Sequence, residues 1–235
     1  MSNNPPAAAT LITVAPTGAE ADKSAVPALP VTLDELVTTA KECQAAGAAV
    51  VHVHIRDAQA QPTLDRARLA DTVAALREGT DLIVQLSTGG AVTDSFADRL
   101  AVLDAGPDAC SLTCGTVNFG DEVFSNPYPF IRDLYARTQD LGVVPEFELF
   151  DFGHIATLHR LLAADGPPHG GHVHCDLVMG VPGGMPGRWR GRGPCAHQGR
   201  RGAAHPGRCP AHRHRGRAAR GDRSHRAAVH GRRGH

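Results

Sequence analysis

The last 48 residues of this 235-residue chain contain no Leu, Ile, Phe, Met or Tyr and a single Val, Val229. Such a stretch cannot bury an apolar core of its own. Nor is there any apolar run near the roughly 20 residues that cross a bilayer, so no membrane partner is expected. None of the six cysteines forms a C-x-x-C pair, and the thiols are read as reduced, in a cytoplasmic protein. Met1-Ser2-Asn3-Asn4-Pro5-Pro6 has no basic region followed by an apolar stretch, so no signal peptide is expected.

The formal charge of zero hides a division. Residues 1–187 carry 10 Lys and Arg against 23 Asp and Glu; residues 188–235 carry 14 Arg and one acid, Asp222. The expected organisation is one domain over 1–187 and a disordered Arg/Gly/His-rich tail over 188–235.

Within the first part, strand-like runs at Leu11–Val14, Val50–Ile55, Leu82–Leu86, Ala109–Thr113, Val143–Phe150 and Val173–Met179 alternate with helical patterns. Thr32-Leu33-Asp34-Glu35 is a capping box, and Leu36, Val37, Ala40 and Cys43 follow it on one helix face. Four further helices are marked by Leu64/Leu69/Val73/Leu76, Phe96/Leu100/Leu103, Phe130/Ile131/Leu134/Tyr135 and Ile155/Leu158/Leu162. Strand–helix alternation with short turns predicts parallel βαβ units and an α/β fold. The strands recur about every 33 residues, and eight such units would make a (β/α)8 TIM barrel of about 260 residues. Residues 1–187 hold six. An open doubly wound sheet is the alternative, weakened by the lack of G-x-G-x-x-G after the first strand.

Chemistry collects at the strand ends. In Val51-His52-Val53-His54-Ile55-Arg56-Asp57, alternation puts both histidines on one face and the aliphatic residues on the other. Two imidazoles side by side at the C-terminal end of a parallel strand suit a divalent metal such as zinc; hydrogen-bonded core histidines are the other reading. His172 and His174 share that spacing but open their strand, which argues for a structural or surface role. Glu20 follows the first strand, Ser87-Thr88-Gly89-Gly90 the third. Ser111 and Thr113 lie on the fourth, Glu146 and Glu148 on the fifth, and Gly180-Val181-Pro182-Gly183-Gly184-Met185 ends the sixth. Hydroxyls and glycine N–H groups suit a carboxylate ligand; Glu20 and Glu148 suit a cationic group or proton transfer.

At these residues the chain resembles the β-keto acid cleavage enzymes, whose founding activity is 3-keto-5-aminohexanoate cleavage. The matching stretches are Pro16–Glu20, Val51–Arg56, Gln85–Ala91, Gly115–Asp121, Val144–Glu148 and Gly180–Met185, in order. The resemblance implies a (β/α)8 barrel that uses zinc to join a β-keto acid with acetyl-CoA and split the adduct into acetoacetate and a new CoA thioester. It implies zinc at His52 and His54, and substrate contacts from Glu20, Ser87, Gly90, Ser111, Thr113 and Glu148. Ser111 keeps a hydroxyl where the founding enzyme has threonine, Thr113 replaces an asparagine, and Glu148 hints at a cationic substrate. A family-like homo-oligomer is compatible with it. The likeness stops after Gly187. The glutamate that serves as third zinc ligand, the aspartate that serves as general base and the arginine that orients it have no counterpart, since residues 188–235 hold no glutamate. The catalytic residues are therefore unassigned, and an impaired or inactive chain is expected.

Three readings of the tail stand: a basic arm for nucleic acid, a histidine-rich metal tract, or out-of-frame translation of a GC-rich gene. With Trp189 as its one aromatic residue, the tail lacks stacking platforms for sequence-specific nucleic-acid binding. Its abrupt onset favours the frame change. Translating the coding DNA downstream of Gly187 in the other two frames should reveal a Gly-x-Glu-Asp-Asn-like stretch; its absence from both refutes this reading.

Overall fold

The computed structural model describes residues 10–19 and 21–187; the expectations attached to Glu20 and to residues 188–235 lie outside the described residues. The chain runs β1 (Thr13–Val14), α1 (Leu33–Ala45), β2 (Val50–Val53), α2 (Arg66–Gly79), β3 (Ile83–Leu86), α3 (Phe96–Ala101) with a 3-10 turn at Val102–Ala105, β4 (Ala109–Thr113), β5 (Val117–Phe119), β6 (Glu122–Phe124), α4 (Tyr128–Leu141), β7 (Val144–Leu149), α5 (Phe152–Asp165) and β8 (His174–Leu177). Six strands form one sheet in the order β1-β2-β3-β4-β7-β8, and every neighbouring pair is parallel. Each strand lies beside its predecessor, the step-by-step winding of a barrel segment rather than the reversed order of a doubly wound sheet. The sheet curls as an open part of a TIM-type barrel.

Local chemistry starts and stops the helices as the sequence suggests. Thr32 and Glu35 form the capping box of α1, the Thr32 hydroxyl accepting from Glu35 N–H and the Glu35 carboxylate from Thr32 N–H. Asp65 caps α2 and Asp151 caps α5. Gly142, at φ +69°, ends α4 in the left-handed region that favours glycine. One element has no counterpart among the expected strands: β5 and β6 form an antiparallel hairpin turning at Gly120-Asp121.

The apolar core lies on the convex side, between sheet and helices. Val51, Val53, Ile55, Val84 and Leu86 pack under α1 and α2; Cys110, Leu112, Phe147 and Leu149 pack under α4 and α5. Alternation along each strand therefore turns the intervening residues to the concave side: His52, Gln85, Ser111, Thr113, Glu146 and Glu148. The outer strands expose apolar side chains, as an open sheet must: Leu11 and Ile12 beside β1, Leu177 at the end of β8 and Met179 just beyond it. Among the described residues no helix is long and apolar enough to cross a membrane.

Phe147 is 0% exposed at the middle of the convex core. Phe147→Ala is expected to cost about 3–5 kcal/mol of stability, measured as a lower urea midpoint at unchanged slope.

Candidate active site on the concave face

The two histidines of β2 stand where alternation puts them. Their ring centroids are 5.2 Å apart, and His52 Nε2 lies 3.3 Å from His54 Nε2. Two nitrogens bound to one tetrahedral zinc at ~2.0–2.1 Å stand about 3.3–3.4 Å from each other, so the pair fits two corners of such a site. Burial first, then His52 and Arg56, push His54 down to about 3, which leaves its ring neutral and able to donate a lone pair. Among the described residues no group of three or more His, Cys, Asp or Glu side chains could hold a metal ion. The described part of the site thus offers two donors and no third.

The other expected residues fall on the same rim, in differing states. Thr113 donates to Glu148 Oε2. Glu148 lies in register with Asp176 on β8. Burial raises the Glu148 carboxyl above its ordinary value, Asp176 and Glu146 raise it further, and His52 and the Thr113 hydroxyl oppose them. Ser111, 1% exposed, uses its Oγ to accept from Thr88 N–H at 3.2 Å. Ser87 Oγ accepts from Gly89 N–H at 3.2 Å. Both hydroxyls are thus engaged in shaping the turn after β3. Gly90 has φ +59°, and a Cβ there would meet the Asp94 carboxylate at 2.2 Å, the group that accepts from Ala91 N–H. His174 is closer to the site than its place at the start of a strand suggests. It pairs in register with Glu146, its Nε2 3.5 Å from Glu146 Oε1.

Two arginines that sequence reasoning left without a role hold the rim loops. Arg56 sends Nη2 to the carbonyls of Thr17, Gly18 and Ala21, fixing the loop after β1, while Thr17 Oγ1 accepts from His54 N–H at 3.0 Å. Beside them a cleft of about 610 Å³ opens next to His54, between the starts of α1 and α2. Arg99 donates to Thr88 O, Ser125 O and Asn126 Oδ1, joining the turn after β3 to the end of the hairpin. Its guanidinium lies 4.8 Å from the Phe124 ring centre and 4.5 Å from that of Phe130, and burial lowers it to about 10. The available signal was an arginine at i+3 from Phe96 on an otherwise apolar helix face. At the far end of the rim, Gly183 has φ +84°, and a Cβ there would stand 1.7 Å from the Asn118 carbonyl oxygen. The glycine-rich turn after β8 therefore presses directly on the hairpin.

The family model described as beta-keto acid cleavage enzyme matches residues 9–191. The chain belongs to that family. It is 40% identical over 175 residues to a 3-keto-5-aminohexanoate cleavage enzyme of Fusobacterium nucleatum, covering 73% of this chain and 63% of that one. It is 32% identical over 177 residues to a 3-oxoadipate:acetyl-CoA acetyltransferase of Cupriavidus necator, covering 75% and 61%. The chain therefore spans somewhat less than two thirds of the length of these curated relatives. Among solved structures, ObcA without ligand superposes with a TM-score of 0.57 at 23% identity, over 66% of this chain and 37% of that one, a likeness of fold.

The raised Glu148 carboxyl has a thermodynamic consequence. Below its ordinary value of 4.5 it is protonated in both folded and unfolded states. As pH rises through the higher folded value, the unfolded chain releases the proton more readily, so stability falls. Glu148→Gln is expected to flatten that fall, read as a smaller drop in urea midpoint from pH 4.5 upward than in the parent chain.

Proposed function

We propose that this chain carries the metal- and substrate-binding part of an acyl-transferring β-keto acid cleavage enzyme. Its partners would be a β-keto acid and acetyl-CoA, its products acetoacetate and a CoA thioester, and its setting the cytosol. The observation that supports this most is the His52–His54 pair, with nitrogens spaced for a shared cation, on the polar concave face of a parallel barrel segment. His52 and His54 would hold zinc. When bound, it supplies a Lewis acid that polarises the keto oxygen of the substrate.

The remaining roles belong to the chain's own groups. The turn Ser87–Gly90, its Thr88 and Gly89 N–H groups held by the Ser111 and Ser87 hydroxyls and its Thr88 carbonyl by Arg99, would border the space for the substrate. Glu148, with Thr113 donating to it, faces the same space, and a cationic group arriving there would draw its raised carboxyl toward ionisation. This matches the amino-bearing substrate of the Fusobacterium relative better than an all-acidic one. Glu20 is assigned with it from the sequence alone. Residues 188–235 contain no glutamate, so zinc has two matched protein donors here, and turnover by this chain alone is expected to be low.

Titrating the chain with zinc, then assaying acetoacetate formation from acetyl-CoA and 3-keto-5-aminohexanoate, tests the reading. Zinc binding that is lost in His52→Ala and His54→Ala, with weak acetoacetate release, is the expected result. Zinc binding indifferent to both substitutions overturns the assignment, and robust turnover overturns the expected impairment.

A further inference from the structure

His52 is held by a specific neighbour. Its Nδ1 lies 2.6 Å from Gln85 Oε1, and Gln85 Nε2 lies 2.6 Å from Glu146 Oε2. Gln85 stands in register with His52 on the adjacent strand and is 1% exposed, so its amide cannot turn to water for other partners. An amide has a donor end and an acceptor end, and a carboxylate accepts. Glu146 therefore takes the NH2 end, and the carbonyl end is left facing His52. A carbonyl only accepts, so the proton on His52 sits at Nδ1. Its Nε2 is then the nitrogen with the lone pair, and Nε2 is the atom 3.3 Å from His54 Nε2.

We propose that Gln85, clamped by Glu146, is a positioning residue that fixes the His52 tautomer and ring so that Nε2 is presented to a divalent cation. The inference rests on the metal reading above and extends it from the two ligands to the groups behind one of them. Outer partners of this kind set ligand orientation, and their loss typically weakens metal binding by about 10–100-fold. Neither residue was singled out as a ligand or a support in the sequence: a glutamine in a buried strand reads as an isolated polar core residue until its neighbours on β2 and β7 are known.

The experiment pairs histidine 15N spectra of the metal-free full chain with zinc affinity from chelator competition. The parent is expected to show His52 in the Nδ1–H tautomer. Gln85→Met should mix the tautomers and weaken zinc about 10–100-fold. Gln85→Glu keeps an acceptor toward Nδ1 and should retain the tautomer. Glu146→Leu removes the acceptor of the Gln85 NH2 group without touching Gln85, should move both readouts in the direction of Gln85→Met, and serves if that variant does not fold. An unchanged tautomer and affinity in Gln85→Met, or in Glu146→Leu if it must stand in, overturns the proposal. A parent chain that binds no zinc overturns the metal reading, while the spectra still decide whether Gln85 sets the tautomer.

Discussion

Alternation along the parallel strands separates two demands on one sheet. The convex side must be apolar, because five helices need a surface on which to bury Leu, Val and Phe. The concave side instead gathers the polar groups, His52, Gln85, Ser111, Thr113, Glu146 and Glu148. A two-residue period satisfies both within the same short segment: Val51 and Val53 are at or below 1% exposed while His52 and His54 face the opposite way. A one-residue slip of β2 would exchange the two faces, placing imidazoles under α1 and α2 and valines at the site. The register with β1 and β3, anchored by Val50↔Ile83 and Thr13↔Val50, is therefore a condition of the chemistry as much as of the fold.

Rim loops would be poor platforms by themselves, since exposed turns fluctuate. Here each is tied to the rigid part by a buried side chain. Arg56 gathers three carbonyls of the loop after β1, Arg99 bridges the turn after β3 to the hairpin, and Ser111 reaches from β4 to Thr88. The site is thus a set of loops whose positions depend on one another, each fixed by groups that need not touch substrate.

Much of the fold was legible because its signals are local. Six strand positions follow from apolar runs, and β4 matches its expected range residue for residue, since Ala109–Thr113 is buried throughout. Thr32 and Glu35 announced α1 through a spacing that has one mechanical meaning. The hairpin β5–β6 was not legible: three-residue strands carry too little periodicity, and Val117-Asn118-Phe119-Gly120 reads equally as a loop. At the site, the histidine pair was evident from its period, while Gln85, Arg56 and Arg99 were not, since a buried polar residue acquires a role only from partners distant in sequence. His174 shows the reverse: its place at a strand start suggested distance from the site, but its register with Glu146 brings it to the edge of the polar face.

Among the described residues Arg99 makes no hydrogen bond or ion pair with a carboxylate; its hydrogen bonds run to two carbonyls and an amide oxygen, and aromatic faces flank it. A cation enclosed in this way is shielded from mobile counterions. Its hold on the turn that precedes it should persist in concentrated electrolyte, where a solvent-facing pair such as Lys23–Glu35 has faded, so the tie between that turn and the hairpin is nearly indifferent to ionic strength.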